Sequence, residues 1–301
     1  MSDAASESPF LIIGPTAAGK SSLAVEFAER IGGEIVSADA FQVYSGLDIL
    51  SAKPASDLRS RVPHHIVGEV SLTASFDAGQ WRSRATRCIA EIAARGRTPV
   101  VCGGTGLYIR ALTHGLAELP PADPALRASL EREPLSALAV RLRSLDPAGI
   151  VDMKNPRRVI RALEVCILTG QPFSSFRDGW KSESPIRGVI LTRDRAQLHA
   201  RINARTLSMF ESGVVEEVAA TGETGPTASQ MLGLREIREL LAGRLPLPEC
   251  VENIQRATRN YARRQITWFR KERGCQWIDL TEAADPIADL EHAWRALSRR
   301  S

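Results

Sequence analysis

Gly14, Pro15, Thr16, Ala17, Ala18, Gly19, Lys20 and Ser21 match the pattern GxxxxGK[ST] at every fixed position. The chemistry follows from the residue types. Backbone N–H groups of such a loop point inward at an anion, and the helix it opens adds partial positive charge. Lys20 is placed to neutralise phosphate oxygens, and the Ser21 hydroxyl to reach a magnesium ion. The loop therefore binds a di- or triphosphate but is silent about what happens to it. Asp39, in Ser37-Ala38-Asp39-Ala40, is the next candidate: a carboxylate that can hold magnesium, directly or through water, or act as a general base. It can equally be a helix N-cap, a position aspartate favours. Thr105, in Gly103-Gly104-Thr105-Gly106, offers a hydroxyl beside glycines that admit a ligand, although a tight strand–helix turn explains those glycines as well.

A different chemistry appears near the C-terminus. Residues 256–273 carry seven basic residues and one acidic residue, Glu272. At about 100° per residue, Arg256, Arg259, Arg263 and Arg270 fall within about 60° of one another. Ala257, Tyr261, Ala262, Ile266, Trp268 and Phe269 take the other side and read as core-facing anchors. Like charges at these spacings repel. An anion such as a nucleic-acid backbone or a diphosphate relieves them, or the face is simply solvated. Arg157 and Arg161, with Arg158 nearby, repeat the theme. Two basic helices can grip an extended polyanion from two sides.

The elements that position these residues alternate. Residues 10–13 are an apolar strand before the glycine loop, and residues 20–31 form a helix stopped by Gly32-Gly33. A second strand runs from Glu34 to Ser37, so Asp39 lies at its carboxyl end, where open parallel sheets bind ligands. Residues 81–94 have helical periodicity and residues 98–102 form a third strand. Strand, helix, strand with glycine-rich turns predicts an α/β fold: a P-loop parallel-sheet core with an inserted α-helical domain. The core is assigned to residues 9–115 and 186–301 and the insertion to 116–185. The insertion opens with the stiff linker Leu119-Pro120-Pro121-Ala122-Asp123-Pro124, and helices are expected at 126–132 and 135–145. A clearer one has Asn155 as N-cap, Pro156 in its first turn and Gly170 at its end. Residues 188–192 return as a strand.

Composition sets outer bounds. The 301 residues carry a net charge of +4, too mild to imply nucleic acid, but arginine outnumbers lysine 34 to 5. Arginine is the better fork for phosphate, although GC-rich coding inflates it too. Five scattered cysteines suit reduced thiols rather than disulfides. Residues 1–9 lack the basic and apolar regions of a signal peptide, and no apolar run approaches the ~20 residues of a transmembrane helix, so a soluble, cytoplasmic protein is expected. His64 and His65 are given a structural role, and Trp180, Trp277 and Trp294 are given to packing.

Taken together, these motifs resemble one family, the tRNA dimethylallyltransferases, in the family's order and over nearly the whole chain. The resemblance rests on residues 14–21, on 34–44 with Gly46, Asp48 and Ala52-Lys53-Pro54, on 62–65, on 103–108, on 155–158 with 161–165, and on 261–270. It implies a P-loop that grips the leaving diphosphate of dimethylallyl diphosphate and an acceptor that is N6 of adenosine 37 in the tRNA anticodon stem-loop. By that analogy Asp39 is the general base, Lys20 and the loop amides stabilise the diphosphate, and Thr105 sits beside the reacting centre. Mg2+ is the implied cofactor, on Ser21 and Asp39. The implied tRNA contacts are Asp39, Ala40, Phe41, Gln42, Thr105, Arg157, Arg158, Val159, Ile160, Arg161, Arg256, Arg259 and Arg263. A monomer of bacterial type without an obligate protein partner is expected. Departures from the family pattern fall at Ala40, Leu50, Gly68, residues 77–81 and Leu234. Three rival readings are an adenylate isopentenyltransferase acting on free AMP-type nucleotides, a P-loop small-molecule kinase, and an RNA-binding protein whose P-loop is vestigial.

Overall fold

Phe10–Ile13 is apolar throughout and buried along its whole length, as a central parallel strand must be. It is β1 of the computed structural model, which describes residues 8–180, 187–272 and 274–298, the side chains of 177–180 and 298 excepted. The packing expected of Trp180 lies outside the described residues. In chain order follow α1 (Lys20–Ile31), β2 (Gly33–Ala38), α2 (Ser56–Arg61), β3 (His64–His65), α3 (Ala78–Ala94), β4 (Thr98–Gly103) and α4 (Gly106–Thr113). Next come α5 (Pro124–Leu130), α6 (Leu135–Leu145), α7 (Pro156–Thr169), β5 (Gly188–Thr192), α8 (Arg195–Glu211) and α9 (Val214–Ala219). The chain closes with α10 (Leu234–Leu241), α11 (Leu247–Phe269), β6 (Gln276–Asp279) and α12 (Pro286–Ser298).

The strands pair in the order β3-β2-β4-β1-β5-β6, all parallel. One apolar cluster joins Ile13, Val36 and Val101 to Trp81, Tyr108, Ile237 and Phe269. A second joins Ile12, Ile35 and Val100 to Phe27, Leu290 and Ala293. The two sets alternate along each strand, so helices cover both faces of the sheet. α3 starts three residues before the expected Trp81 because Asp77 and Gln80 form a reciprocal capping box. Beyond β5 the sequence announced only part of α11; α8, α9, α10, β6 and α12 are additions.

Two compact units emerge, Thr113–Ser184 and the remainder of the chain. The smaller is helical, with Leu130, Leu138, Leu142, Val159 and Leu163 in a core of its own. Beside that core lies Glu164, whose side chain is fully buried. It accepts from Arg161 Nη1 at 2.6 Å, Arg127 Nη2 at 2.7 Å and the Asp123 amide at 2.8 Å. Burial alone drives a carboxyl pKa up; here the two guanidiniums and the amide outweigh it and hold Glu164 below the usual value.

Candidate active site

Loop 14–19 joins the end of β1 to α1 at the carboxyl edge of the sheet. Gly14 has φ 155°, and a Cβ there would lie 2.3 Å from the Leu191 carbonyl oxygen, so only glycine fits between β1 and β5. Lys20 Nζ donates to the Pro15 carbonyl at 2.7 Å, folding the ammonium back over the loop. Burial lowers the Lys20 pKa from the ordinary lysine value, Cys102 and Asp39 oppose the shift, and Arg205 adds to it.

Three arginines that the motifs did not announce clasp the loop. Arg193 donates to the Ala18 carbonyl at 2.9 Å, Arg201 to the Ala17 carbonyl at 2.8 Å, and Arg205 to Thr16 Oγ1 at 2.9 Å. Burial lowers the Arg205 pKa, with Asp39 opposing. Gln265 of α11, only 5% exposed, completes the clasp: its Oε1 accepts from the Thr16 amide at 2.8 Å and its Nε2 donates to the Gly104 carbonyl at 2.8 Å.

Opposite stands Asp39, one residue beyond β2. Its Oδ1 accepts from the amides of Phe41 at 2.9 Å and Gln42 at 3.3 Å, so it caps the turn that follows. No hydrogen bond engages Oδ2 among the described residues, and the side chain lines the crevice. The two readings of this residue are compatible, one oxygen for each. Thr105 Oγ1 accepts from the Ala40 amide at 3.0 Å, joining the ends of β2 and β4. Burial, and secondarily the charge of Asp39, push the Tyr261 phenol well above its usual pKa, so it stays a neutral hydroxyl beside Thr105 and Gln265.

The crevice encloses about 350 Å3. At its loop end Lys20, Arg201 and Arg205 converge, and among the described residues Asp39 is the only carboxylate in the lining. That excess of positive charge suits a polyanion, while Asp39 suits a proton or a cation. Ile254, Met209, Met231 and Leu50 give the rest an apolar lining. A separate groove of about 820 Å3 lies between α8 and α11, lined by Arg193, Arg195, Arg256, Arg259, Arg263 and Arg270.

A family profile described as IPP transferase matches residues 42–272, and one described as isopentenyl transferase matches residues 8–69. The chain belongs to the IPP transferase family. It is 43% identical over 288 residues to a tRNA dimethylallyltransferase of Akkermansia muciniphila, covering 95% of this chain and 98% of that one. A tRNA dimethylallyltransferase of Geobacter sulfurreducens is 43% identical over 295 residues, 93% and 94% of the two chains. Among solved structures, the full-length tRNA isopentenylpyrophosphate transferase of Bacillus halodurans superimposes with TM-score 0.72 at 34% identity, covering 98% of this chain and 97% of that one. A eukaryotic dimethylallyltransferase acting on tRNA gives TM-score 0.79 at 25% identity, over 96% of this chain and 77% of that one.

In this member of the family Thr16, Ala17, Gly19, Lys20 and Ser21 of the P-loop line one crevice with Asp39, Phe41 and Gln42, while Gly14, Pro15 and Ala18 stand outside its lining and Thr105 is tied to its edge through the Ala40 amide. Arg256, Arg259, Arg263 and Arg270 share the groove, as their spacing predicts. Other expectations need correction. Val159 and Ile160 are buried in the helical unit's core, so their side chains are not surface contacts. Arg161 is half-buried and committed to Glu164 and to the Pro120 carbonyl at 2.6 Å, leaving Arg157 and Arg158 as the exposed pair. Tyr261, expected in the core, lines the crevice, because α11 is covered on two sides. Trp277 is 40% exposed on the groove rather than packed, whereas Trp294 stacks edge-on against Phe27. His65 donates to Glu34 at 2.7 Å, and His64, which lines the crevice, donates to the Val62 carbonyl at 2.7 Å.

Proposed function

We propose that this protein transfers a dimethylallyl group from dimethylallyl diphosphate to N6 of adenosine 37 in tRNA. The observation that carries the reading is one small crevice in which a cationic P-loop faces a single carboxylate. The N6–C1 bond forms as the C1–O bond to diphosphate breaks. The proton leaving N6 goes to Asp39, and the negative charge gathering on diphosphate goes to the loop amides, Lys20 and Arg205. An adenine amine is a weak nucleophile, so stabilising the leaving group matters most; one preorganised donor can contribute roughly 3 kcal/mol or more. Thr105 and Tyr261 supply hydroxyls beside the reacting centre.

The donor set fits magnesium brought in with the diphosphate. Among the described residues no group of three His, Cys, Asp or Glu side chains could cage a metal. Mg2+ characteristically takes one or two protein oxygens and fills its shell with phosphate oxygens and water. Ser21 and, through water, Asp39 are the residues that would hold it. When bound it would neutralise charge on the departing diphosphate.

The acceptor base must leave its stack to enter, which is easiest in a single-stranded loop. The arginine groove fits an RNA backbone, and an AMP acceptor would leave it without a purpose. Arg157 and Arg158 give the helical unit an exposed basic edge for the anticodon stem. The relatives' activity as tRNA dimethylallyltransferases supports the same reading. The described helices include none long and apolar enough to cross a membrane. Asp39→Asn keeps an oxygen for the Phe41 and Gln42 amides and removes the base. Turnover is expected to fall by ~100-fold or more with tRNA affinity nearly unchanged. Single-turnover kinetics with a tRNA-binding assay checks this, and near-wild-type turnover refutes the role.

A further inference from the structure

One wall of the crevice is made by the irregular segment 39–55 between β2 and α2. It contributes Asp39, Phe41, Gln42, Leu50, Ser51 and Ala52. Two of its non-glycine residues hold left-handed backbone, Leu47 at φ 51° and Ala52 at φ 50°. Such conformations persist only where the surroundings over-determine them. Local hydrogen bonds hold part of the segment, and one further constraint lies far away in sequence. Glu217, on α9, accepts from the Ile49 amide through Oε1 at 2.8 Å and from the Leu50 amide through Oε2 at 2.9 Å. Both carboxylate oxygens are spent on two adjacent amides 167 and 168 positions away, and the side chain does not line the crevice.

The consequence passes along the loop by hydrogen bonds. The Ala52 amide donates to the Ile49 carbonyl at 3.0 Å, and the Ala52 carbonyl accepts from Gln42 Nε2 at 3.0 Å. Gln42 in turn accepts from Ser37 Oγ at 3.3 Å, and its own amide donates to Asp39 Oδ1. Only Ser212 and Gly213 separate α9 from α8, the helix that brings Arg205 to the P-loop. Glu217 therefore ties the wall carrying the carboxylate to the helices that grip the phosphates.

We propose that Glu217 is a positioning residue: it clamps Ile49 and Leu50 so that Gln42 and Asp39 present a fixed face to the acceptor base. It touches neither substrate. This inference deepens, and rests on, the transfer reaction proposed above.

The test is Glu217→Ala, with Glu217→Gln as a milder variant that keeps one acceptor oxygen, and Glu216→Ala as an exposed neighbour that should change nothing. For Glu217→Ala, kcat is expected to fall ~10-fold or more, the scale of a displaced reacting group, while the KM for dimethylallyl diphosphate stays within ~2-fold. Glu217→Gln should recover part of the loss. Amide hydrogen exchange should show Ile49 and Leu50 protected in the wild type and released in the alanine variant. A kcat within ~2-fold of wild type, or a donor KM rising in step with the loss of kcat, overturns the proposal. If the wild type transfers no prenyl group at all, the proposed reaction fails. Amide exchange then still decides the clamp, and unprotected Ile49 and Leu50 amides in the wild type refute it.

Discussion

α7 and α11 carry similar arginine patterns to opposite ends. On α7, Arg161 turns inward and is neutralised by Glu164, three residues on, with Arg127 of α5 sharing the same carboxylate. On α11, Arg259 reaches only the neutral Asn203 at 2.6 Å, and Arg263 and Arg270 have no carboxylate partner among the described residues. Arg256 has a loose, exposed contact with Glu252 at 3.8 Å. The first helix spends Arg161 on holding a small core together; the second leaves its aligned arginines facing a groove. Spacing alone aligns arginines. Whether they are available depends on what the fold brings opposite them.

The contrast can be broken most severely at Glu164. Glu164→Ala leaves the half-buried Arg127 and Arg161 guanidiniums without their carboxylate, so a loss of about 3 kcal/mol is expected, the low end for breaking a buried pair. Glu252→Ala, at the exposed pair on α11, should cost less than about 0.5 kcal/mol. Chemical denaturation compares them, and equal losses would erase the distinction. Next in size is RNA binding. Replacing Arg256 and Arg263 by glutamine should lower tRNA affinity by roughly 10-fold and flatten the salt dependence by about 1.4 to 1.8 in the log–log slope. Arg161→Gln should leave that slope unchanged, and a matching drop there would mean α7 spends this arginine on RNA after all. The smallest effect is that of acid. Because the folded pKa of Glu164 lies below the usual 4.5, its stabilisation is fully present above that value. It is lost as pH falls further, through the depressed folded value. Amide protection in residues 113–176, taken against the intrinsic exchange rate at each pH, should therefore fall at acid pH, and Glu164→Ala should abolish that dependence.

Much of this was legible because it is local. The GxxxxGK[ST] loop fixes a strand before it and a helix after it, and α1 spans Lys20–Ile31 as read. Asn155, Pro156 and Gly170 bound α7 by capping chemistry alone. What escaped is non-local. Arg193, Arg201 and Arg205 meet the P-loop across 175 to 189 residues, and nothing in their own neighbourhood marks them. Tyr261 was misassigned because dividing a helix into a charged side and a core side assumes two environments. α11 has three: a groove, a core and a crevice. Val159, Ile160 and Arg161 turn inward for a simpler reason. The amphipathic pattern of α7 already placed the first two inward, and Glu164 was in view three residues beyond the third.

The central claim is that the crevice moves a prenyl group from diphosphate onto an adenosine in RNA. Mass spectrometry of nucleosides from tRNA incubated with the protein, dimethylallyl diphosphate and magnesium tests it directly. One adenosine per responsive tRNA is expected to be heavier by a single dimethylallyl group, with AMP in the same mixture left unmodified. Unmodified tRNA alongside prenylated AMP, or turnover of a nucleoside triphosphate with no prenyl transfer, contradicts it.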